Sequence, residues 1–120
     1  MANFFWVFIG GGIGSMTRYG VNLGLANWSA NFPVSTLIAN ALACIVLGFT
    51  TELFLETSIT SEYRLFLMTG FCGGFSTFST FSSETFSLFN EGNPLFAFLN
   101  IASNLLICIL CIYLGMRWAK

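Results

Sequence analysis

Histidine is absent from this chain and charge is scarce, since its 120 residues include only five acidic and four basic side chains. Without histidine, no imidazole can complete a metal site. Four basic side chains offer little to a phosphate backbone, so we expect no nucleic-acid partner. A chain that is 56% hydrophobic and 8% charged also cannot cover a water-soluble globule with polar surface. The composition therefore favours a lipid bilayer and a membrane protein that is not an enzyme.

Neutral windows between the charged residues have about the 20-residue length that crosses hydrocarbon. Pro33 and Pro94 stand at expected first helical positions, Asn93 can cap the last helix, and residues 56–62 form a short polar turn. Loops this short leave no room for a second domain, so we predict one all-α transmembrane domain over residues 1–120. Its spans are expected at Phe4–Leu25, Pro33–Leu55, Arg64–Asn90 and Pro94–Trp118.

The basic residues give only a weak orientation signal. With four spans, Arg64, Arg117 and Lys120 lie on one side of the membrane and Arg18 lies near the other. Cytoplasmic loops normally carry the excess of Lys and Arg. The excess here is small, so insertion in either direction, or in both, stays open.

Four cysteines fall inside the predicted spans, where a reduced thiol behaves as a small apolar group. Cys108 and Cys111 form a Cys-x-x-Cys pair, but no second pair or histidine exists to complete a metal site. We therefore predict that the cysteines are packing residues: Cys44, Cys72, Cys108 and Cys111.

Three polar residues fall at a common depth. In an up-and-down arrangement, Arg18, Asn40 and Glu84 each lie about 10 Å from the same membrane surface, at about 1.5 Å per helical residue. One interpretation is a structural Arg18–Glu84 ion pair with its charges snorkelling toward the headgroups. The other is a water-filled vestibule with Asn40 as its floor. Ionisable residues inside a membrane are usually functional, which favours the vestibule.

Glycines predict both close helix packing and a helix break. Three Gly-x-x-x-Gly pairs allow helices to approach closely in lipid. Two adjacent glycines followed by Ser76 and Thr77 in the middle of a span predict a local break that frees backbone carbonyls. Unwound carbonyls at this depth suit a small hard cation such as Na⁺. The pairs are Gly10 with Gly14, Gly20 with Gly24 and Gly70 with Gly74, and the adjacent glycines are Gly73 and Gly74.

Phenylalanines at three-residue spacing follow the break, with hydroxyls on the neighbouring faces of the helix. Such rings are usually core residues, and Ser or Thr often bonds its own helix. The other predicted spans, however, offer neutral hydrogen-bond donors without a deep lysine, which suits a small anion that is held and then released. Ring edges add positive potential. These residues are Phe75, Phe78, Phe81, Ser79, Thr80, Ser82, Ser83, Thr36, Asn40, Asn100 and Asn104.

Three segments together resemble one known family. They are Gly70–Glu84, Gly11–Tyr19 and Ser35–Asn40, and in length and four-helix layout the whole chain resembles the Fluc fluoride channels, also called CrcB proteins. Each segment alone is a weak signal, whereas the combination is specific.

The resemblance implies a passive fluoride channel of the cell membrane, which exports fluoride from the cytoplasm. It implies a dimer of two oppositely oriented subunits and two pores along their interface. By position, Phe78 and Phe81 are the pore phenylalanines and Asn40 is a pore donor, while Gly73 and Ser76 give backbone carbonyls to a central Na⁺. Ser79 and Thr80 match part of a polar track, and Arg18 matches the arginine of the first segment. The neutral donors Thr36 and Asn104 and the vestibule of Arg18 and Glu84, inferred above, complete the expected fluoride pathway.

The chain departs from the family pattern at four positions. Ser35 replaces a usual glycine and Ser76 a usual threonine, and the second change matters little if only the backbone carbonyl binds. Asn100 and Asn104 replace the Tyr and Ser that are frequent on the fourth helix, so conduction along that track is open. Pairing with a distinct homologous subunit is also open.

Two other functions fit part of the pattern. A small proton-coupled exporter of cationic drugs also has four short helices, but it needs a titratable carboxylate deep in a span, and Glu84 is the sole candidate. A structural protein that oligomerises through its glycine faces would need no hydroxyl run in its third span.

Overall fold

The computed structural model describes all 120 residues, and every regular element in it is helical. The segments between Ser61 and Asn90 follow one another as a single interrupted helix, which we call the broken helix. The predicted all-α fold with four helices is therefore confirmed. The elements are α1 (Ala2–Gly24), a 3₁₀ turn (Ala26–Trp28), α2 (Val34–Glu56), α3 (Ser61–Arg64), a π-helical segment (Leu65–Cys72), α4 (Gly73–Phe75), α5 (Phe78–Asn90) and α6 (Pro94–Ala119).

One predicted helix start and one predicted side-chain cap need correction. α6 begins at Pro94 as expected, since a proline at the first position removes an N–H that has no helical partner. Asn93 stands at the N-cap, but its side chain makes no capping hydrogen bond, so that prediction is wrong. α2 begins at Val34, and Pro33 is its N-cap instead of its first helical residue.

The predicted break is present, and it lies just after the adjacent glycines. Ser76 and Thr77 are both extended, with φ/ψ of −74°/156° and −150°/114°. Gly73 and Gly74 themselves remain helical. The π-helical segment before them is wider than an α-helix, so the broken helix is irregular for eight residues, from Leu65 to Cys72, and returns to α-helix for three residues before it breaks.

Two helices are by themselves long and apolar enough to cross a membrane. They are α2, at Val34–Glu56, and α6, at Pro94–Ala119. α1 and the broken helix, the other two predicted spans, do not meet this criterion.

Glycines join α1 to the broken helix. A Cβ at Gly10 would overlap the carbonyl oxygen of Phe66, and a Cβ at Gly14 would overlap that of Phe71. Gly70 and Gly74 meet the backbone of α1 in the same way. The predicted packing through these two Gly-x-x-x-Gly pairs is confirmed. The third pair, Gly20 and Gly24, faces open space, so it makes no close contact within the chain.

A second close helix pair joins α2 to α6 and was not predicted. Gly48 rests on the carbonyl of Ile112, and Gly115 rests on that of Ile45. One added methyl group at either glycine would overlap a backbone oxygen of the other helix. These two contacts fix the register of α2 against α6 where residues 45–48 meet residues 112–115.

The interior is more polar than the core of a water-soluble protein. Nine buried residues are polar or charged, against six that are apolar. Large apolar side chains instead face outward, with Phe4 and Phe8 each 78% exposed. Polar groups inside and apolar groups outside suit lipid, which cannot hydrogen-bond a polar side chain. All four cysteines are free thiols.

Candidate functional site

The break leaves backbone N–H groups without a helical acceptor, and side chains accept their hydrogen bonds. Thr77 is the N-cap of α5, and its hydroxyl accepts the Thr80 N–H at 3.2 Å. The same hydroxyl donates to Thr80 Oγ1 at 3.1 Å and lies 3.3 Å from Ser79 Oγ. The predicted track residues Ser79 and Thr80 therefore gather around the start of α5, with Ser79 exposed and Thr80 half-buried.

Asn40 reaches the break from α2. Its Oδ1 accepts the backbone N–H of Thr77 at 2.8 Å. An extended backbone at Thr77 removes this N–H from the helical pattern, and a buried N–H without a partner is costly. Asn40 is 9% exposed, so this contact is almost wholly inside the protein.

A continuous row of hydrogen bonds leads from Asn40 across α6 to α5, and we call it the amide chain. Asn40 Nδ2 donates to Asn104 Oδ1 at 3.0 Å, and Asn104 Nδ2 donates to both oxygens of Asn100 at 3.0 Å. Asn100 Nδ2 donates to Thr85 Oγ1 at 2.9 Å. Thr85 in turn donates to the carbonyl of Phe81 at 2.8 Å. The amide chain thus joins two predicted pathway residues, Asn40 and Phe81.

The donors of α6 are used within the chain itself. The sequence suggested Asn100 and Asn104 as donors to a passing anion, but Asn100 is fully buried and Asn104 is 6% exposed. Both acceptors of Asn104 Nδ2 belong to Asn100. Asn40 and Asn100 each keep one amide hydrogen that no protein acceptor takes, and of these two residues Asn40 is 9% exposed whereas Asn100 is fully buried.

Glu84 and Arg18 do not form the ion pair that was one of the two interpretations. The sole salt bridge of the chain joins Lys120 Nζ to Glu52 at 3.5 Å. Glu84 Oε1 instead accepts the Thr36 hydroxyl at 2.7 Å, and its Oε2 is buried without a partner.

A polar cavity of about 500 Å³ lies beside Glu84. Glu91 also lines it, whereas neither Arg18 nor Asn40 does. The predicted vestibule therefore has a counterpart around Glu84, without the arginine and without Asn40 as its floor. Its other polar lining comes from Ser29, Asn31, Ser83, Ser87 and Asn93.

Phe78 and Phe81 form an aromatic pair after the break. Their ring centroids are 5.6 Å apart at a tilt of 50°, and Phe78 is 79% exposed whereas Phe81 is half-buried. Both rings line an open apolar groove of about 440 Å³ between α5 and α6. The remaining lining residues are Ser82, Thr85, Phe86, Phe89, Ile101 and Leu105.

The carbonyls of Gly73 and Ser76 accept no hydrogen bond from the protein. The Ser76 N–H and its hydroxyl both turn back to the Cys72 carbonyl, at 2.9 Å and 2.8 Å. The Thr77 N–H, which would reach Gly73 in an unbroken helix, goes to Asn40 instead. A cavity of about 170 Å³ lies next to them, and the rest of its lining comes from Ala43, Cys44, Leu47, Met68 and Cys72. Hard cations prefer oxygen ligands such as the carbonyls of Gly73 and Ser76.

Thr85 is the residue that the sequence did not point to. It stands one turn after Phe81, and its type is common on a membrane helix. Its contact with Asn100 depends on how α5 and α6 are aligned, which no local pattern indicates. The roles predicted for the pathway residues stay predictions, since their contacts within one chain do not test conduction.

Comparison with known proteins covers almost the whole chain. The family model described as "CrcB-like protein, Camphor Resistance (CrcB)" matches residues 5–116. A relative from Pyrococcus abyssi, named fluoride-specific ion channel FluC, is 47% identical over 113 residues, which are 93% of this chain and 91% of the relative. A protein of the same name from Pyrococcus furiosus is 50% identical over 115 residues, with 95% and 93% covered. FluC 1 of Yersinia pseudotuberculosis is 45% identical over 119 residues, with 95% and 94% covered. The chain therefore belongs to the CrcB-like family of membrane proteins.

Proposed function

We propose that this chain forms a passive, selective fluoride channel that exports fluoride from the cytoplasm and protects against fluoride toxicity. The observation that carries the proposal is the similarity to proteins named fluoride-specific ion channel, at 45% to 50% identity over more than nine-tenths of each chain for the relatives from Yersinia pseudotuberculosis and Pyrococcus furiosus. The relatives are named as channels, which agrees with a protein that is not an enzyme.

The chemistry around the break supports an anion that is small and strongly hydrated. A path for fluoride has to replace its water with closely placed donors, while its width excludes larger halides. The free amide hydrogen of Asn40 and the exposed Ser79 hydroxyl supply donors without fixed positive charge. The edges of the Phe78 and Phe81 rings add the positive end of the aromatic quadrupole. Neutral donors hold an anion without trapping it.

An inverted dimer accounts for the surface after the break. The groove that carries Phe78 and Phe81 is open and apolar, and in a second copy of opposite orientation it would meet its own equivalent. The weak basic bias of the chain permits both orientations in one membrane. We propose that two such subunits form two fluoride pathways at their interface. Thr36, Thr80 and Asn104 would support each pathway, with Arg18 and Glu84 toward its mouth.

A Na⁺ ion at the dimer centre fits the free carbonyls of Gly73 and Ser76. Both oxygens lack hydrogen-bond donors; Gly73 is the first residue of α4, and Ser76 is the extended residue that follows it. Two carbonyls from each of two subunits would supply an oxygen cage without any charged side chain, as unwound helices of transporters do. The ion would hold the two breaks together.

A passive exit fits a cell membrane that faces acidic surroundings. Hydrogen fluoride crosses a membrane as the neutral acid and dissociates in a near-neutral cytoplasm, which traps the anion. A channel returns fluoride down its gradient without coupling to another ion.

Halide efflux from liposomes tests the proposal. Purified protein is reconstituted, and fluoride and chloride release are recorded with ion-selective electrodes after a potassium ionophore is added. We expect rapid fluoride release and almost no chloride release. Absence of fluoride release, or equal release of both ions, would contradict the proposal.

The cavity beside Glu84 favours a second candidate, a proton-coupled exporter of cationic drugs. Glu84 and Glu91 both line it, and no lysine or arginine does, so it is better suited to a cation than to an anion. Resistance to aromatic cations that depends on pH and is lost in Glu84→Gln would support the exporter. We expect Glu84→Gln to have no effect on such resistance.

A further inference from the structure

We infer that Thr85 and Asn100 are positioning residues that, through Asn104, fix the direction in which Asn40 presents its free amide hydrogen. The inference rests on the proposed function, because that hydrogen is the donor offered to fluoride. Neither Thr85 nor Asn100 needs to touch the ion. Their effect passes along the amide chain.

The direction of the amide chain is set at its Thr85 end. Thr85 has one hydroxyl hydrogen, which goes to the Phe81 carbonyl at 2.8 Å. Its oxygen must therefore accept from the atom of Asn100 that lies 2.9 Å away, which makes that atom Nδ2. The other end of the Asn100 amide is then an acceptor, so Asn104 has to approach it with Nδ2.

The Thr77 end sets the same direction independently. A backbone N–H can only donate, so the Asn40 atom 2.8 Å from Thr77 N must be the oxygen Oδ1. Asn40 then turns Nδ2 to Asn104, whose facing atom has to be Oδ1. If the chain ran the other way, the Asn40 amide nitrogen would face the Thr77 N–H, and two donors would oppose each other. The positions of O and N in an Asn amide have to be assigned from its hydrogen bonds. Here Thr85 at one end of the amide chain and the Thr77 N–H at the other require the same assignment.

Counting hydrogens along the chain leaves one donor for a ligand. Asn104 directs its amide nitrogen to two acceptors of Asn100. Asn100 donates one hydrogen to Thr85, and its second hydrogen is out of reach of a ligand because Asn100 is completely buried. Asn40 donates one hydrogen to Asn104 and has a second that meets no protein acceptor. Flipping the Asn40 amide would replace this donor with an oxygen, which repels an anion.

The same chain ties that donor to the aromatic pair. Thr85 bonds the backbone of Phe81, and Phe81 packs on Phe78. Loss of the Thr85 hydroxyl therefore removes an acceptor from buried Asn100. The distance between the Asn40 donor and the two rings is then less firmly fixed. Selectivity among halides depends on that spacing, so it should fall together with the rate.

Thr85→Val tests the inference because it keeps the shape and removes both hydrogen bonds. Thr50→Val is the matched control: Thr50 is also buried, at 3% exposed against 7% for Thr85, bonds the Val46 carbonyl one turn back at 2.7 Å, and lies outside the amide chain. In liposomes we expect Thr85→Val to lower fluoride release and the fluoride-to-chloride ratio by about five- to tenfold, the effect expected when Asn100 loses its acceptor. Thr85→Ser keeps the hydroxyl, so its fluoride release and its fluoride-to-chloride ratio should match those of the native protein. Thr50→Val should match the native protein in both quantities as well.

A second measurement reads the amide chain without transport. In protein labelled with ¹⁵N-asparagine, the side-chain resonances of Asn40, assigned with Asn40→Asp, should move in Thr85→Val and stay in place in Thr85→Ser and Thr50→Val. Thr85→Ala serves as the replacement if Thr85→Val does not fold. An unmoved Asn40 resonance, or an unchanged halide ratio beside a native protein that conducts fluoride, overturns the inference. A native protein that conducts no fluoride contradicts the proposed function instead, and the Asn40 resonance then decides the positioning role alone.

Discussion

Asn40 on α2 serves as the hydrogen-bond partner of Thr77, with its Oδ1 accepting the Thr77 N–H at 2.8 Å. An N–H displaced from its helix in the middle of a membrane cannot turn to water, so a side chain has to accept it. One face of the Asn40 amide thus stabilises the break, and the other holds a donor hydrogen. The same side chain therefore has a structural role at the break and a proposed role in conduction.

Asn40→Asp should separate these two tasks. One carboxylate oxygen of the aspartate can still accept the Thr77 N–H. The other replaces the Asn40 amide nitrogen, which lies 3.0 Å from Asn104 Oδ1, so two acceptors face each other. We expect fluoride release from liposomes to fall at least about tenfold, through the lost donor and the added negative charge. Asn3→Asp, at the exposed start of α1, is the control and should conduct normally. Normal release by Asn40→Asp would remove Asn40 from the pathway.

The helix break could be predicted because its cause is local. Two glycines followed by Ser76 and Thr77 weaken a helix wherever they occur, although the sequence did not indicate that the break falls after the glycines. Gly10 and Gly14 were likewise found because both belong to one helix at a spacing of one turn.

Contacts that need two helices at once were not predicted. Gly48 and Gly115 are single glycines on separate helices, and only the alignment of α2 with α6 gives them a common role. Thr85 and Asn100 are 15 positions apart and meet only after α5 and α6 pack. The sequence identified Asn40 and Asn104 as donors but not that they bond each other, which changes what Asn104 can offer a ligand.

Gly48→Ala should destabilise the protein more than the addition of a single methyl group suggests. The added Cβ overlaps the carbonyl oxygen of Ile112, a backbone atom that can move only if α6 shifts. We expect the free energy of unfolding in a mild detergent to fall by about 2 kcal/mol, as it does when a core is overpacked. Gly20→Ala, where no atom lies within 4 Å, is the matched helix control and should be neutral or stabilising by about 0.5–1 kcal/mol. Equal stability of the two variants would contradict this packing.

Removing Na⁺ should weaken the proposed dimer. If the carbonyls of Gly73 and Ser76 hold the ion, replacing Na⁺ by K⁺ in all buffers should lower the fraction of dimer measured by chemical cross-linking at low protein concentration. Ser76→Ala should keep this Na⁺ dependence, because the Ser76 hydroxyl is turned to the Cys72 carbonyl and only the backbone oxygen is free. A dimer fraction that is the same in Na⁺ and K⁺ would argue against the ion.

Phe78→Ile tests whether the aromatic pair acts through its rings or only through its bulk. Isoleucine keeps the apolar surface of the groove but lacks the positive ring edge, so we expect fluoride release to fall at least about tenfold while the protein remains folded. Phe8 on α1 is the matched control, since it is 78% exposed against 79% for Phe78 and does not line the groove. Phe8→Ile should conduct like the native protein. If both variants conduct normally, the rings serve packing alone, and the path of the ion has to be sought among the hydroxyls of α5.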